Sequence, residues 1–288
     1  PMNQPPLLKN LAEDPILRNV KLIAEAWDAG GLYQVGSFPA YTRWAEWNGK
    51  YRDDMRSFLK GDYWFAQAAA NRLTGSLDLY TGQYKGYDSS INFLTCHDGF
   101  SLWDLYSYNG KHNEANGWNN SDGADDNRSW NCGVEGETTD PEIRKLRLRM
   151  MKNACLALMC SRGTPMFLAG DEFGNSQRGN NNVYCQDNPT GWVNWRGLKS
   201  NREQWEFVKE LIHLRKTYRV FHPEEEMNGM DKVGCGVPDV SYHGENAWRV
   251  QSEVSSRQLG IYYCGAKDGR TDCFVIYNMH WLEKAGIV

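Results

Sequence analysis

Apolar and polar positions along this chain alternate between two periods. Three short runs read as buried strands, at residues 20–25, 91–96 and 166–169, and each hands over to a loop containing Gly and acids. Between and after them the period becomes helical. Residues 5–18 carry Leu7, Leu8, Leu11 and Ile16 on or near one face, and residues 51–59 carry Met55, Phe58 and Leu59. Thr139-Asp140-Pro141-Glu142 is a helix-start signature with Pro at the first helical position, and it predicts a helix to about Arg162 closed by Gly163. Ser200-Asn201-Arg202-Glu203 predicts another, running to about Tyr218 with Trp205, Val208, Leu211 and Ile212 as its apolar stripe. Segments 27–49, 61–90 and 107–137 read as loops. After about residue 223 the helical period gives way to aromatic and β-branched runs at 259–264 and 273–277. The expectation is an α/β unit of parallel strand-helix repeats over 1–222, followed by a β-domain over 223–288.

Two of the strand-end acids stand out. Glu25 follows the first run and Asp98 the second, about two strand-helix steps later, so both are expected on one rim of a parallel sheet. That rim is where an α/β barrel keeps its chemistry. Two carboxylates there are the minimum equipment for breaking a glycosidic bond.

Composition narrows the partners. The chain has 288 residues, 41% hydrophobic and 24% charged, with a formal net charge of −4. This suits a soluble globular protein and gives no sign of nucleic acid or an anionic membrane surface as partner. No apolar stretch is long enough to span a bilayer. Twelve Trp and fifteen Tyr offer flat apolar faces with polar edges, which suit the C–H faces and hydroxyl edges of sugars. The eight cysteines form no C-x-x-C pair, which argues against structural zinc. Their scatter favours free thiols and a cytoplasmic address. Asn120-Ser121-Asp122-Gly123 has a superficial likeness to a calcium loop, but Trp118 and Ser129 occupy the positions where the pattern needs acids. With no Gly-x-Gly-x-x-Gly and no P-loop, nucleotide enzymes are not supported; no cofactor or metal is expected.

Several segments together resemble the isoamylase and glycogen-debranching branch of the α-amylase superfamily. They are Ala24-Glu25-Ala26-Trp27-Asp28-Ala29-Gly30-Gly31, Glu46-Trp47-Asn48-Gly49-Lys50-Tyr51-Arg52-Asp53, Cys96-His97-Asp98-Gly99-Phe100, His112-Asn113-Glu114-Ala115-Asn116-Gly117, Gly170-Asp171-Glu172-Phe173-Gly174, Asn180-Asn181-Asn182-Val183-Tyr184-Cys185-Gln186-Asp187 and Tyr277-Asn278-Met279-His280-Trp281. The resemblance implies the second half of a TIM-type (β/α)8 barrel, about strands five to eight, followed by the start of a C-terminal β-sandwich. It implies hydrolysis of α-1,6 branch linkages in glycogen- or amylopectin-type glucans by a retaining mechanism. Glu25 matches the general acid/base, Asp98 the stabilising acid, His97 a sugar-binding residue and Trp27 a lining residue. Ala26 stands where the family usually has Pro. The family's nucleophile, an Asp in a Gly-Phe-Arg-x-Asp type motif, has no counterpart here, so the chain reads as a fragment that is inactive alone. The alternative is a non-catalytic glucan-binding or regulatory relative.

Overall fold

The structure, a computed structural model, describes residues 5–80, 85–250, 256–268 and 271–282. The last residues of the expected β-domain, 283–288, lie outside that description. Four strands, β1 (Leu22–Ala24), β2 (Trp44–Trp47), β3 (Ser90–Phe93) and β4 (Thr164–Met166), form one parallel sheet in that order. Around them lie α1 (Pro6–Glu13), α2 (Gly49–Lys60), α3 (Phe65–Leu73), α4 (Leu102–Leu105), α5 (Pro141–Met159), α6 (Gly197–Ser200) and α7 (Arg202–Thr217). A second sheet is antiparallel: β5 (Val240–His243), β6 (Gln258–Tyr263) and β7 (Cys273–Asn278). No helix among the described residues is long and apolar enough to cross a membrane.

The sequence places β1, β3 and β4 within a few residues. It misses β2 and α3, which fall in stretches that read as loop. At the centre of β2 sits Glu46, fully buried, its carboxylate accepting from Lys85 Nζ at 2.7 Å and Gly36 N at 2.7 Å. Burial pushes that carboxyl's pKa up, and Lys85 and Gly36 pull against it. A charged residue inside a strand breaks the alternation that identifies strands.

Helix α2 starts where Asn48 accepts from Tyr51 N at 2.8 Å. Its side-chain amide also donates to Ser76 Oγ and Ser90 Oγ, so the cap doubles as a brace between β2 and β3. Tyr51, Met55, Phe58 and Leu59 then bury one face. On α5 the cap is Asp140, which accepts from Glu142 N and Ile143 N; Thr139 is not the capping residue. The expected start at Ser200 also moves, because Ser200 closes α6 and α7 begins at Arg202. The buried stripe of α7 is Gln204, Val208 and Leu211, while Ile212 faces solvent. Gly163 has φ +112, and a Cβ there would come within 2.8 Å of Asn92 Nδ2 and 3.0 Å of Ser90 O. Only glycine lets the chain pass so close to β3 in that conformation.

The two sheets share one core. The Phe58 and Tyr277 rings meet edge-on at 6.2 Å, Tyr263 Oη donates to Cys160 O at 3.3 Å, and Thr74 Oγ1 and Tyr242 Oη are 2.8 Å apart. Each such buried ring contributes about 1.5–3 kcal/mol relative to exposure. The antiparallel sheet is thus packed on α2, α3 and the end of α5.

Candidate active site

Glu25 leaves the C-terminal end of β1 and is exposed. The chain after it turns back at once. Gln34 N donates to Ala26 O at 2.7 Å, Trp27 and Tyr33 pair across the turn, and Asp28 caps it by accepting from Leu32 N at 3.0 Å. The Trp27 and Tyr33 rings stack at 6.1 Å. Both press on the start of α2: a Cβ on Gly49 would lie 2.8 Å from Tyr33 Oη and 3.4 Å from Trp27 Cζ3, which is why that position is glycine.

His97 and Asp98 follow the end of β3, on the same rim of the sheet as Glu25, with β2 between them. Two inter-strand spacings put the strand ends roughly 10 Å apart. His97 is exposed and Asp98 is partly buried. Cys96 Sγ donates to Asp98 Oδ1 at 2.5 Å, and burial, aided by that carboxylate, pushes the Cys96 thiol up to about 12. Asp98 therefore keeps a neutral donor beside it.

Sequence reasoning missed a bridge between the two acid-bearing loops. The Arg52 guanidinium, from the first turn of α2, lies 6.0 Å from the Trp27 ring centre and 5.8 Å from that of Phe93. Phe93 lies 5.6 Å from Trp47, and Trp47 lies 5.7 Å from His97. Arg52 Nε donates to Asp53 Oδ1 at 2.7 Å. Burial works against the Arg52 charge, but the Asp53 hydrogen bond, together with the charges of Asp53, Cys96 and Asp98, holds its pKa above the ordinary value. The rim is thus one platform, Trp27–Arg52–Phe93–Trp47–His97. Arg52 and Trp47 sit inside a recognised motif, yet nothing in their spacing tells which groups they touch.

The Asp98 segment is held from behind by two buried groups. Asp171 accepts from Thr95 Oγ1 and, at 2.8 Å, from Leu102 N, gripping both ends of the stretch that carries His97 and Asp98. The sequence marks Asp171 as a strand-end acid without this role. Asn181 accepts from Gly99 N through its carbonyl at 2.9 Å. Its side chain accepts from Asn113 Nδ2 at 2.8 Å and donates to Ala124 O and Asn127 Oδ1. The long polar segment 107–137 is therefore folded onto 175–187 by an asparagine lattice that includes Asn116, Asn180, Asn182 and Asp122. Asp104 ties α4 to the same 175–187 region, accepting from Ser176 Oγ, Gln177 N and Gly179 N.

Among the described residues one cluster, Cys96, His97 and Asp98, could bring three ligand atoms to a cation. All three lie on the segment that carries Asp98, directly after β3.

Burial raises Asp104 to about 6 and Asp171 to about 7. In the unfolded chain both would titrate near 4. Between about pH 4 and 7 the folded chain therefore keeps protons that the unfolded chain releases, and this contribution to stability falls as pH rises through that window. Asp171→Asn keeps the shape: its amide oxygen can accept from Leu102 N, and its NH2 donates to Thr95 Oγ1 where the carboxylate accepted from it. Urea unfolding at pH 5 and pH 8 should show the variant losing less stability than the parent over that interval, by on the order of 2 kcal/mol. An identical loss in both proteins would mean Asp171 is not protonated in the folded state.

Isoamylase 3, chloroplastic, from Oryza sativa subsp. japonica is 47% identical over 281 residues, which is 97% of this chain and 34% of that protein. Over this stretch, the chain belongs to the isoamylase and glycogen-debranching family. The glycogen operon protein GlgX homolog of Mycobacterium tuberculosis (strain ATCC 25618 / H37Rv) is 52% identical over 232 residues, 80% of this chain and 32% of that protein. The glycogen debranching enzyme of Pectobacterium carotovorum subsp. carotovorum is 49% identical over 286 residues, 96% of this chain and 42% of that protein. The chain spans about a third of the length of the first curated relatives it matches. Among solved structures, a pullulanase from Paenibacillus barengoltzii in complex with maltohexaose and α-cyclodextrin shares the fold of this isoamylase-family chain. Its TM-score is 0.60 at 17% identity, covering 93% of this chain and 38% of that one. Pullulanase from Bacillus acidopullulyticus matches with a TM-score of 0.60 over 92% of this chain and 29% of that one. No family model matches the chain.

Proposed function

We propose that this chain is the part of an α-1,6-glucan debranching hydrolase that carries the general acid/base and the stabilising carboxylate. On this reading β1 to β4 are one half of a (β/α)8 barrel, with residues 1–222 catalytic and 223–288 opening a C-terminal β-sandwich. The attacking Asp would come from sequence outside the chain. Glu25 protonates the oxygen of the α-1,6 bond as the nucleophile attacks the anomeric carbon, then deprotonates the water that releases the covalent intermediate. Asp98 and His97 hold hydroxyls of the same glucose unit, and Trp27 presents a flat face to the sugar. The substrate is a branched glucan of glycogen or amylopectin type, and the setting is cytoplasmic.

One observation carries the reading: two acid-bearing loops leave one rim of a parallel sheet and are joined by the Trp27–Arg52–Phe93–Trp47–His97 platform. A non-catalytic glucan-binding role would need neither an acid at Glu25 nor the grip of Asp171 on the Asp98 segment. The test is release of linear chains from glycogen or amylopectin. A protein joining this segment to a family-type upstream half should release them, and the chain alone should not. Turnover by the chain alone would place the nucleophile within it; inactivity of a folded joined protein would favour the binding role.

A further inference from the structure

Cys235 and Cys264 belong to the antiparallel-sheet part of the molecule, Cys235 in the loop before β5 and Cys264 directly after β6. Their Sγ atoms are 3.8 Å apart across a sequence separation of 29 residues. Each thiol is held by its own carboxylate-locked turn. On one side Asp231 accepts from Val233 N, from Cys235 N at 3.0 Å and from Gly236 N at 2.7 Å, winding 231–236 into a tight loop. On the other, Asp272 accepts from Gly265 N at 2.7 Å and from Tyr262 Oη at 2.6 Å, fixing the end of β6. The two turns are registered to each other as well. Cys264 N donates to Asp239 O at 3.0 Å, and the Asp239 side chain accepts from Gly229 N at 2.8 Å and pairs with Lys232 at 3.0 Å. The thiols face a cavity of about 160 Å³ whose wall includes Arg219, Asp231, Lys232 and Lys267. Four of the remaining cysteines, Cys96, Cys132, Cys155 and Cys160, are buried.

We propose that Cys235 and Cys264 form a dithiol modification site that exchanges with low-molecular-weight disulfides and closes into an internal disulfide. The exposed Cys235, as thiolate, attacks one sulfur of the small disulfide; the S–S bond breaks and the first small thiol leaves, taking a proton. Cys264 then loses its proton and attacks Cys235 Sγ, expelling the second small thiol, which takes that proton. Two protein S–H bonds and one small-molecule S–S bond are exchanged for one protein S–S bond and two small thiols. The sulfurs need only close from van der Waals contact to about 2.05 Å. The product ties the 228–239 loop to the end of β6 and narrows the cavity mouth.

The test uses the 288-residue chain carrying Cys185→Ser, which removes the other fully exposed thiol. After full reduction, seven thiols should titrate in denaturant. After incubation with oxidised glutathione and removal of reagent, five should titrate, the intact mass should fall by about 2 Da, and a peptide pair linking Cys235 to Cys264 should appear. The cross-linked form should melt roughly 5 °C higher. Adding Cys235→Ser should abolish both the mass loss and the Tm rise. Persistent glutathione adducts without the internal bond would overturn the proposal. So would a linked pair elsewhere, or a cross-linked form that melts no higher than the reduced one, because the two turns would then not be pre-aligned.

Discussion

Glu25→Gln, in a protein that supplies the nucleophile, should lower hydrolysis of glycogen branches by at least about 10³-fold, because an amide cannot donate the proton that the leaving oxygen needs. The loss has a signature. A maltosyl fluoride has a leaving group that departs without protonation, so its first step should survive the substitution, and the covalent intermediate should accumulate because no base activates water. Asp98→Asn should show no such rescue, since on the proposed reading its work is on the sugar ring, whatever the leaving group. Burst kinetics with the fluoride separates the two variants. If Glu25→Gln lost the fluoride reaction as completely as the branch reaction, the acid/base would be another residue.

The largest stability effect is expected at Arg147. Its side chain is fully buried, and its guanidinium donates to the carbonyls of Gly136, Asn131 and Val134. One side chain of α5 thereby fastens the end of the long 107–137 segment. Arg147→Ala removes three charge-assisted bonds and opens a void, at about 3–5 kcal/mol. The melting midpoint should fall by roughly 10 °C. Arg149→Ala, two positions along on the exposed face, should stay within about 0.5 kcal/mol. Equal effects at both positions would show that helix propensity, not the three carbonyls, explains the loss.

What the sequence makes legible divides along a physical line. Runs in which apolar residues cluster, such as 20–24, 91–94 and the core face of α2, are visible because their hydrophobicity shows in a local window, even though Ser90 and Asn92 are buried in β3 and Ile23 is exposed on β1. β2 is not, because Glu46 enters the interior only with Lys85 and Gly36 alongside, partners that no local window contains. α3 is hidden for a similar reason: Arg72 on its last turn is buried by pairing with Asp54 and Asp78. On α7, Gln204 takes the inward position that periodicity assigns to Trp205. The site follows the same rule. Glu25, His97 and Asp98 stand in recognisable motifs, whereas the roles of Arg52, Asp171 and Asn181 exist only through contacts between distant segments.

The common core beneath the two sheets bears on how such chains can be recombined. Tyr277 and Tyr263 are floor and wall for helices of the parallel unit, through Phe58 and the carbonyl of Cys160. A chimera spliced near residue 223, with the antiparallel sheet of a distant relative grafted on, would inherit mismatched rings at that seam. Shuffling experiments should therefore find viable crossovers in the polar surface loops, with the helical scaffold and its sheet inherited together as one heritable block.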